Sequence, residues 1–178
     1  VMSVDYTLAP HSKWQNTTDE VVSVFKGLAA SGFNSRDIVL FGDSAGGSLA
    51  AGSVLKMRDK GMDMPAALVL WSPWSDIAEV GDTYFTLQNA EPSFTYREGL
   101  RASALAYADA ADHKHPYVSP VYGDYSLGFP PTLIQGGTRE LFLSNMPHVF
   151  QSILPDTPEA TAALKKTVDW VTTYVLEE

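Results

Sequence analysis

Ile38-Val39-Leu40-Phe41-Gly42-Asp43-Ser44-Ala45-Gly46-Gly47 is the stretch that decides the fold. Its first four residues are continuously apolar and run straight into a glycine, as a parallel strand buried on both faces should. Helical composition follows from Ala45 to about Lys60 and is closed by Gly61. Gly-x-Ser-x-Gly is common by chance, but between a buried strand and a helix it reads as a sharp turn that displays the serine. Such a turn forces strained backbone angles on Ser44, and the flanking glycines remove Cβ atoms that would clash. The hydroxyl is then lifted above the carboxyl ends of the strands, where open α/β sheets bind ligands. The helix beginning at Ala45 points its free amides at the same place, so the Ala45 N–H is the candidate donor to an oxyanion. Asp43, beside the serine, reads as a structural or electrostatic residue.

Outward from this turn, strands and helices alternate. Val1 to Tyr6 has strand composition and stops at Leu8-Ala9-Pro10, where proline offers no amide hydrogen. From Thr17 or Thr18 to about Ala30, Val21, Val22, Phe25, Leu28 and Ala29 recur at helical spacing behind a Thr cap and Asp19-Glu20, and Gly32 ends the helix. Ala66 to Trp71 gives a third strand, ending at Ser72-Pro73-Trp74, and Thr132 to Gln135 a fourth. A last helix runs from about Pro158 to Leu176. This order predicts a mostly parallel α/β sheet flanked by helices, as one domain over residues 1–178. Between the third and fourth strands, a longer excursion from Asp76 to Pro131 contains a helix from about Tyr96 to Ala111. Its aromatic residues Tyr84, Phe85, Phe94 and Tyr96 read either as core or as walls of a substrate pocket.

A net charge of −9 works against tracking a nucleic-acid backbone or anionic lipid heads. The longest apolar runs are far shorter than the roughly 20 residues a membrane helix needs. Cysteine is absent, which removes disulfides, thiolate metal sites and a cysteine nucleophile. The expectation is a cytoplasmic protein with no nucleic-acid partner and no membrane span; a homodimer is one assembly it allows.

Further motifs follow in a fixed order: Asp5-Tyr6-x-Leu8-Ala9-Pro10, Gly42-Asp43-Ser44-Ala45-Gly46-Gly47, Ser72-Pro73-Trp74, His115-Pro116-Tyr117-Val118-Ser119-Pro120 and Met146-Pro147-His148-Val149-Phe150. Together they resemble the hormone-sensitive-lipase-like (bacterial family IV) carboxylesterases of the α/β-hydrolase superfamily. The resemblance implies an α/β-hydrolase fold and hydrolysis of small-molecule esters with short or medium acyl chains, without metal or organic cofactor. It makes Ser44 the nucleophile and His148 the general base, and places the acid in Gly137-Thr138-Arg139-Glu140-Leu141. Many members have Asp near the position of Arg139; here Glu140 is the only carboxylate in that loop and the candidate acid, with Asp156 and Asp124 in reserve. His11, His113 and His115 read as surface or turn residues.

The resemblance also implies a His-Gly-Gly-rich oxyanion loop upstream of Val1, and a helix and strand between Asn145 and Met146. Only Leu141 to Pro147 separate Glu140 from His148, too few for a parallel crossover of about 10–12 residues, so the joint reads as a deletion. A lactonase or acyltransferase would use the same triad. A non-catalytic ligand-binding protein on this scaffold is the reading from another class, and His148 argues against it.

Overall fold

The computed structural model describes residues 1–86, 96–136 and 149–175. Strands β1 (Val39–Asp43), β2 (Ala67–Trp71) and β3 (Thr132–Gln135) form a parallel sheet in that order. Asp43 is level with Trp71, and Trp71 with Gln135, so the three carboxyl ends share one rim. Side chains alternate along β2. Leu68 and Leu70 pack under Ala50, Ala51 and Val54 of α2 (Ala45–Asp59), while Val69 and Trp71 face Trp170 and Val171 at the far end of the chain. A strand buried on both faces must be apolar throughout, and the run Ala67-Leu68-Val69-Leu70-Trp71 is.

Helix α1 (Trp14–Ala30) packs on α2 through Val21, Val22 and Phe25. It starts earlier than the expected Thr cap. Trp14 is buried against the rings of His115 and Tyr117, at centroid distances of 4.4 and 6.2 Å, and its Nε1 donates to Asp112 Oδ2 at 3.0 Å. That anchorage draws the first turn back to Lys13, and the Thr17 and Thr18 hydroxyls donate to carbonyls of that turn instead of capping it. At its other end Gly32, with φ of +88°, lets the Phe33 amide return to the Leu28 carbonyl, the left-handed stop that glycine permits.

Two expectations fail at the outer side of β1. Val1 to Tyr6 is not a strand, because it joins no hydrogen-bonded ladder among the described residues. An apolar groove of about 590 Å³ separates it from β1, and the segment is held instead by Thr7, whose amide and hydroxyl both donate to the Glu20 carboxylate at 2.7 and 2.8 Å. For the same reason β1 is not buried on both faces: Phe41 is 48% exposed.

Beyond β2 lie α3 (Thr83–Thr86), a π-helical turn (Tyr96–Leu100) and α4 (Arg101–Tyr107). The expected helix to Ala111 ends sooner, because Ala108 turns to extended backbone and its carbonyl lies 3.3 Å from Nε2 of the buried His113. The chain closes with α5 (Phe150–Ile153) and α6 (Pro158–Val175), the latter against β2 and β3.

Candidate active site

Ser44 sits between β1 and α2 with φ of 53° and ψ of −123°, a region that costs a residue with a side chain about 1–3 kcal/mol. Its backbone is over-determined. The Ser44 amide donates to the Trp71 carbonyl at 2.9 Å, and its own carbonyl accepts from the amides of Trp74, Gly47 and Ser48 at 2.9, 3.1 and 3.3 Å. The two glycines of the motif are not equivalent. A Cβ on Gly42 would lie 2.6 Å from the Gly46 carbonyl carbon and 2.8 Å from the Gly47 nitrogen, both backbone atoms that cannot yield, whereas one on Gly46 would meet only Asp43 Oδ1 at 3.8 Å. Gly47 is the second glycine held by space, against Pro73 Cβ at 2.9 Å. The expectation that Gly46 relieves a clash is therefore corrected.

Ala45 opens α2, and its amide belongs to the first turn, which has no intrahelical acceptor. It lies on the wall of a cavity of about 430 Å³ bounded by Tyr6, Leu8 and Ala9, by Leu49 of α2, by Trp74 and Ile77, and by one face of α4. Burial raises the pKa of the Tyr6 phenol, with Asp43 adding to it, and raises that of Tyr107 further, with Tyr6 adding to it. Both phenols thus remain neutral hydrogen-bond donors.

The aromatic residues of the excursion divide. Tyr84 and Tyr96 are core: their rings meet edge-on at 5.3 Å, Tyr84 accepts from Trp74 Nε1 at 2.7 Å, and Tyr96 donates to the Ile77 carbonyl at 2.9 Å. Phe85 is exposed, and Phe94 lies outside the described residues. Burial drives the Tyr84 phenol far above its usual range.

On the other side of the rim is a residue that sequence reading missed. Ser72, at the end of β2, has φ of 44° and is buried; its amide donates to the Gln135 carbonyl at 2.7 Å, and its Oγ accepts the Val149 amide at 3.2 Å. Val149 itself has φ of 50°. Three strained non-glycine residues thus gather at the carboxyl ends of the strands, where strain commonly marks function. The Ser72-Pro73-Trp74 motif marked the position without giving Ser72 a role.

His148 and Glu140 lie outside the described residues. His11 is exposed, His113 is buried in its turn and His115 stacks on Trp14, so none of the three is at Ser44's turn. Asp124, a reserve acid, is occupied locally by the Ser126 hydroxyl and amide, which lower its pKa, and Asp156 is exposed. Among the described residues no group of three or more His, Cys, Asp or Glu could hold a metal ion, and no helix is long and apolar enough to cross a membrane.

This arrangement of strands and helices recurs in known proteins. Residues 1–163 match a family described as alpha/beta hydrolase fold. An acetyl-hydrolase of Streptomyces hygroscopicus is 35% identical over 141 residues, 79% of this chain and 46% of that protein. An esterase of Acinetobacter venetianus is 32% identical over 146 residues, 82% of this chain and 48% of that protein. The chain spans about half the length of these curated relatives. Among solved structures, an esterase from the bacterial hormone-sensitive lipase family superposes with a TM-score of 0.88 at 28% identity, covering 96% of this chain and 64% of that one. An esterase/lipase from an uncultured bacterium gives 0.87 at 29%, covering 97% and 64%. The chain belongs to the α/β-hydrolase fold family, in its hormone-sensitive-lipase-like group.

Proposed function

We propose that this polypeptide is a carboxylic-ester hydrolase that works through an acyl-Ser44 intermediate, with all of residues 1–178 belonging to one hydrolase domain. The observation that carries the reading is the strained, four-bonded backbone of Ser44 beside the first-turn amide of Ala45 and an apolar cavity. A serine in an idle turn would gain nothing from strain of about 1–3 kcal/mol. The esterase relatives supply the reaction class.

In this mechanism Ser44 Oγ attacks the ester carbonyl carbon while His148 takes the hydroxyl proton. The carbonyl oxygen becomes an oxyanion that the Ala45 N–H stabilises. Collapse breaks the bond to the alcohol oxygen, which leaves with the proton from His148. Water, deprotonated by His148, then attacks the acyl-serine, and the bond from the acyl carbon to Ser44 Oγ breaks as that oxygen takes the proton back from His148 and the acid is released. Glu140 holds the imidazole in the tautomer whose free nitrogen faces Ser44.

The test is hydrolysis of a nitrophenyl ester together with labelling by a fluorophosphonate, in the full-length polypeptide. Ser44→Ala is expected to abolish both. Glu140→Gln is expected to lower kcat by up to about 10⁴ in a folded protein, since the corresponding change in the trypsin triad costs that much. Labelling that survives in Ser44→Ala, or Asp156→Asn proving more damaging than Glu140→Gln, would overturn the respective assignments.

A further inference from the structure

We propose that the Tyr6 and Tyr107 hydroxyls form a two-donor site for one neutral oxygen, which makes the preferred substrate an ester carrying a second oxygen acceptor: an ether, a ketone or a further ester carbonyl. This rests on Ser44 being the nucleophile, because the cavity the two phenols line also holds Ala45, the residue after Ser44.

The two rings are rooted in different cores and come to the same cavity. Tyr6 packs on Val21, Val22 and Phe25 of α1, and the residue after it, Thr7, is clipped to the Glu20 carboxylate by hydrogen bonds of 2.7 and 2.8 Å. Tyr107 ends α4 and packs on the cluster that contains Trp14, Trp74 and Ala104. Both side chains are thus held before a ligand arrives, which lowers the ordering cost of binding.

The other polar side chains deep in the wall are already spent. The Thr7 hydroxyl donates to Glu20, the Thr17 hydroxyl to the Lys13 carbonyl, the Ser48 hydroxyl to the Val118 carbonyl and Trp74 Nε1 to the Tyr84 oxygen. Ser103 is exposed on α4. The Tyr6 and Tyr107 hydroxyls have no hydrogen-bond partner among the described residues. Nor are they sealed in: the fully buried polar atoms without a partner there are Ser53 Oγ, Trp71 Nε1 and Gln151 Oε1.

Charge decides what the pair accepts. Burial raises both pKa values, so both phenols stay protonated and donate. Asp43 lines the groove on the other side of Tyr6 and adds to the rise at that phenol, and Tyr6 adds to the rise at Tyr107. A carboxylate in that position repels an anion, and no Lys, Arg or His lines the cavity to offset it. The acceptor is therefore an uncharged oxygen. A hydrocarbon in its place would strip water from two donors and return nothing, the situation in which a polar site rejects an apolar analogue.

The experiment measures kcat/KM of the full-length polypeptide for two matched pairs of esters. Nitrophenyl methoxyacetate against nitrophenyl butyrate puts the extra oxygen in the acyl chain, and methoxyethyl acetate against butyl acetate puts it in the alcohol. Each pair exchanges one methylene for oxygen, so size is matched and intrinsic reactivity cancels between variants. Tyr6→Phe and Tyr107→Phe, which keep the packed ring, are each expected to lower the oxygen-to-methylene ratio about three- to tenfold in the same pair, the worth of one hydrogen bond. The pair that responds identifies the side of the ester that enters the cavity. Unchanged ratios in both pairs for either variant, with Ser44 still labelled by a fluorophosphonate, would overturn the donor site and leave the nucleophile standing. A rate loss shared equally by both members of a pair would do the same, since it marks a packing role. Labelling that persists in Ser44→Ala would instead overturn the nucleophile.

Discussion

At the scale of single residues, the turn around Ser44 separates two glycines that the motif presents as equals. Gly42→Ala places a Cβ against backbone of α2 and should destabilise by about 1–3 kcal/mol or more, as overpacking does. Gly46→Ala meets nothing closer than 3.8 Å and should leave the denaturant midpoint almost unmoved. Equal losses would show that the turn needs Gly46 for some reason other than space. Ser72 makes a different claim. Removing its hydroxyl leaves the buried Val149 amide without that acceptor, at a cost of about 1–3 kcal/mol. Val149 directly follows the proposed base, and a displacement of about 1 Å can cost on the order of 10²-fold in rate. Ser72→Ala should therefore lower kcat more than it raises KM, whereas a purely structural serine would change the unfolding midpoint alone.

Among the elements, α1 and α2 are joined by a buried lysine. Lys56 Nζ donates to the Gln15 carbonyl and to Thr18 Oγ1, each at 2.9 Å, and pairs with Asp19 Oδ1 at 2.9 Å; Lys60 reaches the same oxygen at 2.8 Å. Hydrogen bonds from Lys60 and then Lys56 hold the Asp19 carboxyl below its ordinary 3.8. A carboxylate depressed by folding contributes stability that is fully present above its unfolded pKa and is lost as pH falls through the lower folded value. Urea midpoints of the parent and Asp19→Asn should therefore differ by a constant amount above about pH 5 and converge below 3.8. A gap that stays constant into acid would mean that the ion pairs are idle and that the amide merely packs differently.

For the molecule as a whole, the decisive feature is that neither outer edge of the sheet is paired among the described residues. β1 opens onto the apolar groove with Phe41 48% exposed, and β3 presents Ile134 at 55%. Unpaired apolar edges recruit other chains. Expressed as these 178 residues, the protein should elute well above its 19.4 kDa in size-exclusion chromatography and hydrolyse esters poorly. A monomer with turnover equal to that of a longer polypeptide carrying the same chain would refute this.

The sequence by itself determined the strands β1, β2 and β3, the helices that alternate with them and the position of Ser44 at the rim. Each of these depends on local pattern: short apolar runs bounded by turn residues for strands, of which only β2 is covered on both faces, helical spacing for amphipathic helices, and a glycine where the turn is crowded. Tertiary structure alone decided the rest. Val1 to Tyr6 has every local mark of a strand, yet a strand exists only through a hydrogen-bonded neighbour, and β1 is not within reach of it. Trp14 rather than Thr17 starts α1 because its burial partners, His115 and Tyr117, are about 100 residues away in the chain. Ser72 became visible only once Val149 folded back onto the end of β2, a contact between residues 77 apart that no local spacing encodes.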